Sequence, residues 1–194
     1  MYNTVGVVLS GGASRRFGSF KAKATYKGEY FFRIAENALT PHVDKVVVIS
    51  HPELTSWIKE NSNALVVEDL HQYKGLGPLA GIFTAMQTLE SYWYFVLSCD
   101  VPYITSDIIS KISQGKSVLF DGIVPYIEGR LQPLVAMYSN NVRPLIKSQL
   151  DQVNFRMCDT INQLNIKQVS EKTLGVDPVC FKNINSFVDY KLLD

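Results

Sequence analysis

Cysteine is scarce in these 194 residues: Cys99, Cys158 and Cys180 are all there are. An odd, scattered set makes neither a disulfide framework nor a zinc site. An excess of one charge is missing too. Nineteen Lys and Arg stand against 18 Asp and Glu, a formal net charge of +1, so no bulk field draws the chain to nucleic acid or to a membrane. No apolar run approaches membrane-spanning length, and no basic segment followed by a long apolar stretch opens the sequence. The histidines number three, His42, His51 and His71. They lack ligand spacing and read as surface or loop side chains. There is no internal repeat, no low-complexity segment and no linker. These absences leave a soluble cytoplasmic protein with one domain over residues 1–194 as the expectation. Its composition, 46% hydrophobic and 19% charged, is ordinary for a globular chain. Any anion site must therefore be local.

Apolar runs and helix-spaced patterns alternate along the first half. Residues 5–9, 46–49, 64–67 and 94–97 read as buried strands. Phe31, Ile34, Ala35 and Ala38 mark a helix face that Pro41 closes. His51-Pro52 opens a short helix to about Lys59. Leu79, Ile82, Phe83 and Met86 mark another helix, and Thr105-Ser106-Asp107 caps one carrying Ile108, Ile109 and Ile112. Strands separated by helices of this length predict a parallel α/β sheet with helices on both faces. Ligands of such sheets sit beyond the C-terminal strand ends, which puts Gly11-Gly12, Asp69 and Asp100 on one rim. Later the pattern changes. Residues 117–124 and 133–137 read as strands joined by a turn at Glu128-Gly129-Arg130, an antiparallel addition to the sheet. Residues 141–150 read as a helix, 166–169 as a short strand, and 186–193 as a terminal helix.

The first strand runs straight into Ser10-Gly11-Gly12-Ala13-Ser14-Arg15-Arg16-Phe17-Gly18, then Lys21-Ala22. Glycines let backbone N–H groups converge on an anion. Arg supplies a planar fork for phosphate oxygens, and Lys a compact, movable charge. The stretch is neither a Walker loop nor a G-x-G-x-x-G fingerprint. It reads as a phosphate loop of another kind. Arg16 would hold terminal phosphates and Lys21 would reach the phosphorus under attack, since such transfers need alignment and charge stabilisation above all. Arg15 and Lys23 read as solvated charges. Asp100 follows a strand within Ser98-Cys99-Asp100-Val101-Pro102. It reads either as a turn cap before the proline or as the hard carboxylate that holds Mg²⁺ beside a nucleotide. Gly75-Leu76-Gly77-Pro78-Leu79-Ala80-Gly81 is either a helix start packed closely at Gly81 or a loop laid against a base.

The spacing Leu9-Ser10-Gly11-Gly12-x-Ser14-x-Arg16-Phe17-Gly18-x-x-Lys21 resembles the signature of nucleotidyltransferases. Phe17 stands where methionine is common, and Phe20 where an acidic residue or Asn is usual. Continuing through Val66-Val67-Glu68-Asp69, Gly77-Pro78-Leu79-Ala80-Gly81, Cys99-Asp100-Val101-Pro102-Tyr103, Leu131-Gln132-Pro133-Leu134 and Asn183-Ile184-Asn185, the chain is similar to molybdenum cofactor guanylyltransferases over nearly its whole length. The resemblance implies a Rossmann-like three-layer nucleotidyltransferase fold, that of nucleotide-diphospho-sugar transferases, with a mostly parallel sheet and an antiparallel addition. It implies transfer of GMP from GTP to molybdenum-carrying molybdopterin with Mg²⁺, and work alongside other molybdenum cofactor biosynthesis proteins. By the same resemblance Leu9, Ser10, Gly11, Gly12, Lys21, Asp69 and Asp100 would contact GTP. Asp100 would bind Mg²⁺, and Lys21 and Arg16 would be catalytic. Gln132, Asn183 and Asn185 would face the acceptor, although Asn185 could equally cap the terminal helix. Two alternatives stay open: a CTP-dependent enzyme of the same fold, and a GTP-binding partner without catalysis.

Overall fold

The computed structural model describes residues 1–12, 17 and 20–193. In chain order its elements are β1 (Tyr2–Ser10), a hairpin of β2 (Thr25–Tyr26) and β3 (Glu29–Tyr30), α1 (Phe31–Leu39), β4 (Lys45–Ser50), α2 (Thr55–Glu60), β5 (Leu65–Glu68), α3 (Pro78–Thr88), β6 (Ser91–Ser98), α4 (Ser106–Ser113), β7 (Gly122–Ile127), β8 (Arg130–Leu131), β9 (Val135–Ser139), α5 (Arg143–Asp151), α6 (Met157–Ile161), β10 (Ile166–Ser170), α7 (Glu171–Leu174) and α8 (Phe187–Lys191).

One sheet runs in the order β10-β7-β9-β6-β1-β4-β5, with β8 paired to β7. The pairs β1–β4, β1–β6, β4–β5 and β7–β10 are parallel. Strand β9 runs against both its neighbours, β6 and β7. Side chains alternate between the faces, as the two-residue period of a strand requires. Val5, Val7, Tyr94 and Val96 join α3, α5 and α6 on one face. Val8, Phe95 and Leu97 join α1, α2, α4 and α7 on the other. Strands covered on both faces become continuous apolar runs. That is why β1, β4, β5 and β6 are readable in the sequence.

The second half departs from expectation where its strand begins. Residues 117–121 are not strand, and Val118 and Leu119 are 98% and 72% exposed. Pairing starts instead at Gly122, where an added Cβ would lie 3.0 Å from the carbonyl oxygen of Met137, so glycine admits a close backbone approach. The expected antiparallel addition is present, with β9 inserted between β6 and β7. The expected turn is present, with Glu128 and Gly129 at φ of 46° and 77°. The terminal helix is capped by Ser186, not Asn185. Ser186 and Asp189 form a reciprocal capping box, the arrangement that an S-x-x-D spacing can signal.

Candidate active site

Adjacent parallel strands bring their ends to a common rim. Ser10 lies opposite Ser50, Ser50 opposite Glu68, and Leu9 opposite Ser98. The residues that follow β1, β5 and β6 are therefore Gly11-Gly12, Asp69 and Cys99-Asp100, all at the same edge. The rim is fixed internally as well. The Ser10 hydroxyl is buried and donates to the Ile49 carbonyl at 2.8 Å, which ties β1 to β4. Cys99 N–H donates to the Leu9 carbonyl at 3.1 Å.

Lys21 opens a short 3-10 turn, Lys21–Lys23. Its ammonium donates to Asp100 Oδ2 at 2.8 Å and to Asn185 Oδ1 at 2.9 Å. Asp100 Oδ1 accepts from the Ser98 hydroxyl at 2.6 Å. The Asp100 carbonyl accepts from Ile184 N–H at 2.8 Å, so the strand end and the C-terminal segment are stitched together at this residue. Ile184 is buried with Phe17, Ala24 and Phe31. Phe17 makes edge contacts with Tyr190 and Phe187, the ring centroids 5.4 and 6.4 Å apart. The C-terminal segment thus straps down Phe17, the one described residue of 13–19. Ser14, Arg15, Arg16 and Gly18 lie outside the described residues.

Lys21, Asp100, Ser10, Gly12 and Ser98 line a small cavity of about 160 Å³. Beside it, Leu9, Gly11, Gly12, Asp69, Gly77 and Gly81 help line one of about 400 Å³. Asp69 is held half-hidden there. Its Oδ2 accepts from Gly75 N–H at 3.2 Å, while Oδ1 is buried with no hydrogen-bond partner among the described residues. Burial pushes its carboxyl above the ordinary value, partly offset by the Gly75 N–H. A buried acceptor without a donor is costly, so this oxygen is poised for a donor that enters the cavity. Gly81 keeps that space open. An added Cβ would lie 2.8 Å from Leu9 Cδ2 and 3.7 Å from Asp69 Oδ1.

His51 corrects the expectation of a plain loop histidine. It lines the same cavity, and its ring is 4.9 Å from that of Phe20. Nδ1 accepts from Glu53 N–H at 3.3 Å, so in the neutral ring the proton sits on Nε2. Its neighbours in sequence give no hint of this, because the tilted ring beside it, that of Phe20, comes from a distant part of the chain. Of the other two, His42 bonds Ser106 Oγ at 2.7 Å, and His71 is exposed.

A third cavity, about 630 Å³, is lined by Gln132, Asn183, Arg130, Glu128 and Phe181. Leu134 lines both this cavity and that of Asp69. Gln132 and Asn183 line the same cavity. Asn185 is not part of that lining, and its side-chain oxygen accepts from Lys21 instead.

Asp100 and Ser98 offer oxygens here, and Asn185 turns its Oδ1 to the same place. Among the described residues there is no group of three or more His, Cys, Asp or Glu side chains that could hold a metal. Such a donor set suits a hard cation that keeps waters and takes further oxygens from phosphates. Cys99 is no nucleophile here, since burial and the Asp100 charge push its thiol up to about 12.

Residues 6–163 match the family model of the MobA-like NTP transferase domain. The probable molybdenum cofactor guanylyltransferase of Geobacillus sp. (strain WCH70) is 38% identical over 96% of this chain and 95% of its own. The protein of the same name from Bacillus subtilis (strain 168) is 35% identical over 98% and 94%. Among solved structures, molybdopterin-guanine dinucleotide biosynthesis protein A from Archaeoglobus fulgidus superposes with a TM-score of 0.83 at 23% identity, covering 97% of this chain and 96% of that one. That likeness speaks for the fold.

Proposed function

The chain belongs to the molybdenum cofactor guanylyltransferase family, and from that premise we propose that it transfers GMP from GTP to molybdopterin carrying molybdenum. The acceptor's terminal phosphate oxygen attacks the α-phosphorus of GTP. The bond from that phosphorus to the bridging oxygen breaks, and pyrophosphate leaves with the electron pair. The observation that carries the reading is the ion pair of Lys21 and Asp100, 2.8 Å apart, in a small cavity that shares Leu9, Gly12 and Ser98 with the Asp69 cavity, which in turn shares Leu134 with the cavity lined by Gln132 and Asn183.

In this reading the backbone from Leu9 to Gly12 cradles phosphate, and Asp69 receives a donor from the nucleoside. Lys21 meets the charge that develops on the phosphoryl oxygens. Arg16, outside the described residues, would join it from the same loop. Gln132 and Asn183 face the acceptor, and Asn185 acts there through Lys21. Mg²⁺, held by Asp100, would neutralise triphosphate charge. The 194 residues act as one domain. Among the described residues no helix is long and apolar enough to cross a membrane. We assign the work to the cytoplasm, where the product passes to other molybdenum cofactor biosynthesis proteins.

Pyrophosphate release in the presence of Mg²⁺, GTP and molybdenum-carrying molybdopterin tests this. Release that needs both GTP and acceptor is the expected result. GTP at a hundred times its Kd should also raise the melting temperature, by about 5–10 °C. CTP supporting release as well as GTP does would move the assignment to a cytidylyl enzyme of the same fold. A GTP-dependent melting shift with no release from any nucleotide would leave a binding protein without catalysis.

A further inference from the structure

The loop 69–77 carries Asp69, Gly75 and Gly77 into the nucleotide cavity, yet little of it is anchored there. Gly75 and Gly77 have φ of 75° and 84° and no side chains to hold them. Residues 71, 72, 74, 75 and 77 are exposed, and Tyr73 is the loop's one buried residue. The loop is built around it. Tyr73 N–H donates to the Leu70 carbonyl at 2.8 Å, and the Tyr73 carbonyl accepts from Leu76 N–H at 3.1 Å. Its ring lies edge-on to Phe83 of α3, centroids 5.5 Å apart. Its hydroxyl leaves the site altogether and donates to Asp151 Oδ1, at the end of α5, at 2.5 Å. Lys147, one turn back on α5, donates to the other oxygen at 2.5 Å. The bond of Tyr73 to Asp151 pushes the Tyr73 phenol up, which keeps it protonated and donating, and Lys147 and Tyr73 together hold the Asp151 carboxyl down.

We propose that Tyr73 and Asp151 are positioning residues for nucleotide recognition. Their hydrogen bond fixes the loop that presents Asp69 and Gly75 to the nucleoside half of GTP, and it leaves the triphosphate half untouched. The proposal rests on the reading of this cavity as the nucleotide site. The physical ground is the difference in anchoring. The phosphate side is held by strand ends and the C-terminal strap, whereas the loop hangs on α3, through Leu70 N–H to Thr84 Oγ1 and the Tyr73 ring on Phe83, on an exposed ion pair of Lys74 with Glu68, and on one charge-assisted bond to α5. Such a bond is stronger than a neutral one. Losing it does not empty the core, because the ring stays packed on Phe83. It frees the loop to sample other positions, and the nucleotide must then select the competent one.

The test compares wild type with Tyr73→Phe, Asp151→Ala, Asp151→Asn and the double variant Tyr73→Phe/Asp151→Ala. Amide hydrogen exchange over residues 70–77, without ligand, should quicken in Tyr73→Phe and Asp151→Ala. KM for GTP should rise about five- to twenty-fold while kcat stays within about two-fold, the pattern of lost binding rather than lost chemistry. Asp151→Asn still accepts the hydroxyl and should stay near wild type. The double variant should be no worse than either single one. Inorganic tripolyphosphate with Mg²⁺ needs only the phosphate loop, so its melting shift should match wild type in every variant. Wild-type exchange and KM in Tyr73→Phe would overturn the proposal, as would equal loss of the tripolyphosphate shift. A wild type that neither binds nor turns over GTP would refute the function instead. The exchange measurement would still decide whether the bond holds the loop.

Discussion

Replacing Lys21 by Met keeps a long apolar stem and removes the ammonium that bridges Asp100 and Asn185. The two ionic side chains are 14% and 17% exposed, so the pair is neither a surface contact nor a fully buried one. Exposed pairs contribute about 0–1 kcal/mol. Stripping one partner from a fully buried pair costs about 3–5 kcal/mol. The Lys21–Asp100 pair lies between, at about 1–3 kcal/mol, which at this chain length lowers the melting temperature by roughly 2–10 °C. The Ser98 hydroxyl still serves Asp100 Oδ1 and keeps the loss toward the lower end. Turnover should fall far more, on the order of 10²–10³, because the charge is wanted most where charge develops. A third effect has the opposite sign. Lys21 sits on the carboxylate oxygen that a divalent cation would need, so in the nucleotide-free protein the two compete. Titration of Mn²⁺ by electron paramagnetic resonance should find tighter binding in Lys21→Met than in wild type. Asn185→Ala separates that competition from a simple change of net charge. If Asn185 only steadies the ammonium, the variant loosens Lys21 and binds Mn²⁺ more tightly. If its amide oxygen ligates the cation, Mn²⁺ binds more weakly. Unchanged melting together with turnover within a few-fold of wild type in Lys21→Met would refute the reasoning and leave the pair an incidental contact.

Asp69→Asn should trade binding against stability. Burial raises the Asp69 pKa, so the folded state binds more protons than the unfolded one just above the ordinary carboxylate value, and stability is lost as pH rises through that window. Asn keeps an acceptor for Gly75 N–H and drops the charge. The variant should melt at or above wild type at pH 7, lose that advantage below about pH 4, and show a smaller GTP shift; scanning fluorimetry across pH settles it, and a lower melting point at pH 7 would contradict the argument. Gly81→Ala drives a methyl to within 2.8 Å of Leu9 Cδ2 and 3.3 Å of Ile49 Cγ2. The overpacking should cost about 1–3 kcal/mol and raise KM for GTP more than it lowers kcat, whereas kinetics and melting like wild type would mean that Leu9 yields freely.

What the sequence disclosed followed from how local each signal is. Buried parallel strands are apolar on both faces, so the runs at 5–9, 46–49, 64–67 and 94–97 stood out. The rule that ligands lie beyond their C-terminal ends then brought Gly11-Gly12, Asp69 and Asp100 together before any coordinates did. Strand β9 was harder. Its residues read as strand, but its insertion between β6 and β7 depends on pairings far apart in sequence. Residues 117–121 mimic a strand because Val118 and Leu119 are apolar, and composition alone carries no sign that both are exposed. The short α6 and α7, five and four residues long, offer too few turns for a period to register. At the site, His51 reads as a surface or loop histidine and caps Pro52–Leu54, but its place in the cavity wall depends on the distant Phe20 ring beside it.

Asn185 makes the same point with more consequence. Read locally, it is one of several polar residues ahead of a terminal helix. Ser186 and Asp189 take the capping role between them, and that leaves the Asn185 side chain available to Lys21, 164 positions earlier in the chain. The segment that carries it also pins Phe17 through Tyr190 and bonds the Asp100 carbonyl through Ile184. The Lys21–Asp100 side of the site is therefore finished by a strap from the far end of the chain. The Asp69 side is finished by a loop hung from α3 and α5. The sheet rim alone supports neither half fully. Each half depends on a separate long-range anchor, so damage to the strap should register chiefly in turnover, and damage to the loop chiefly in nucleotide affinity.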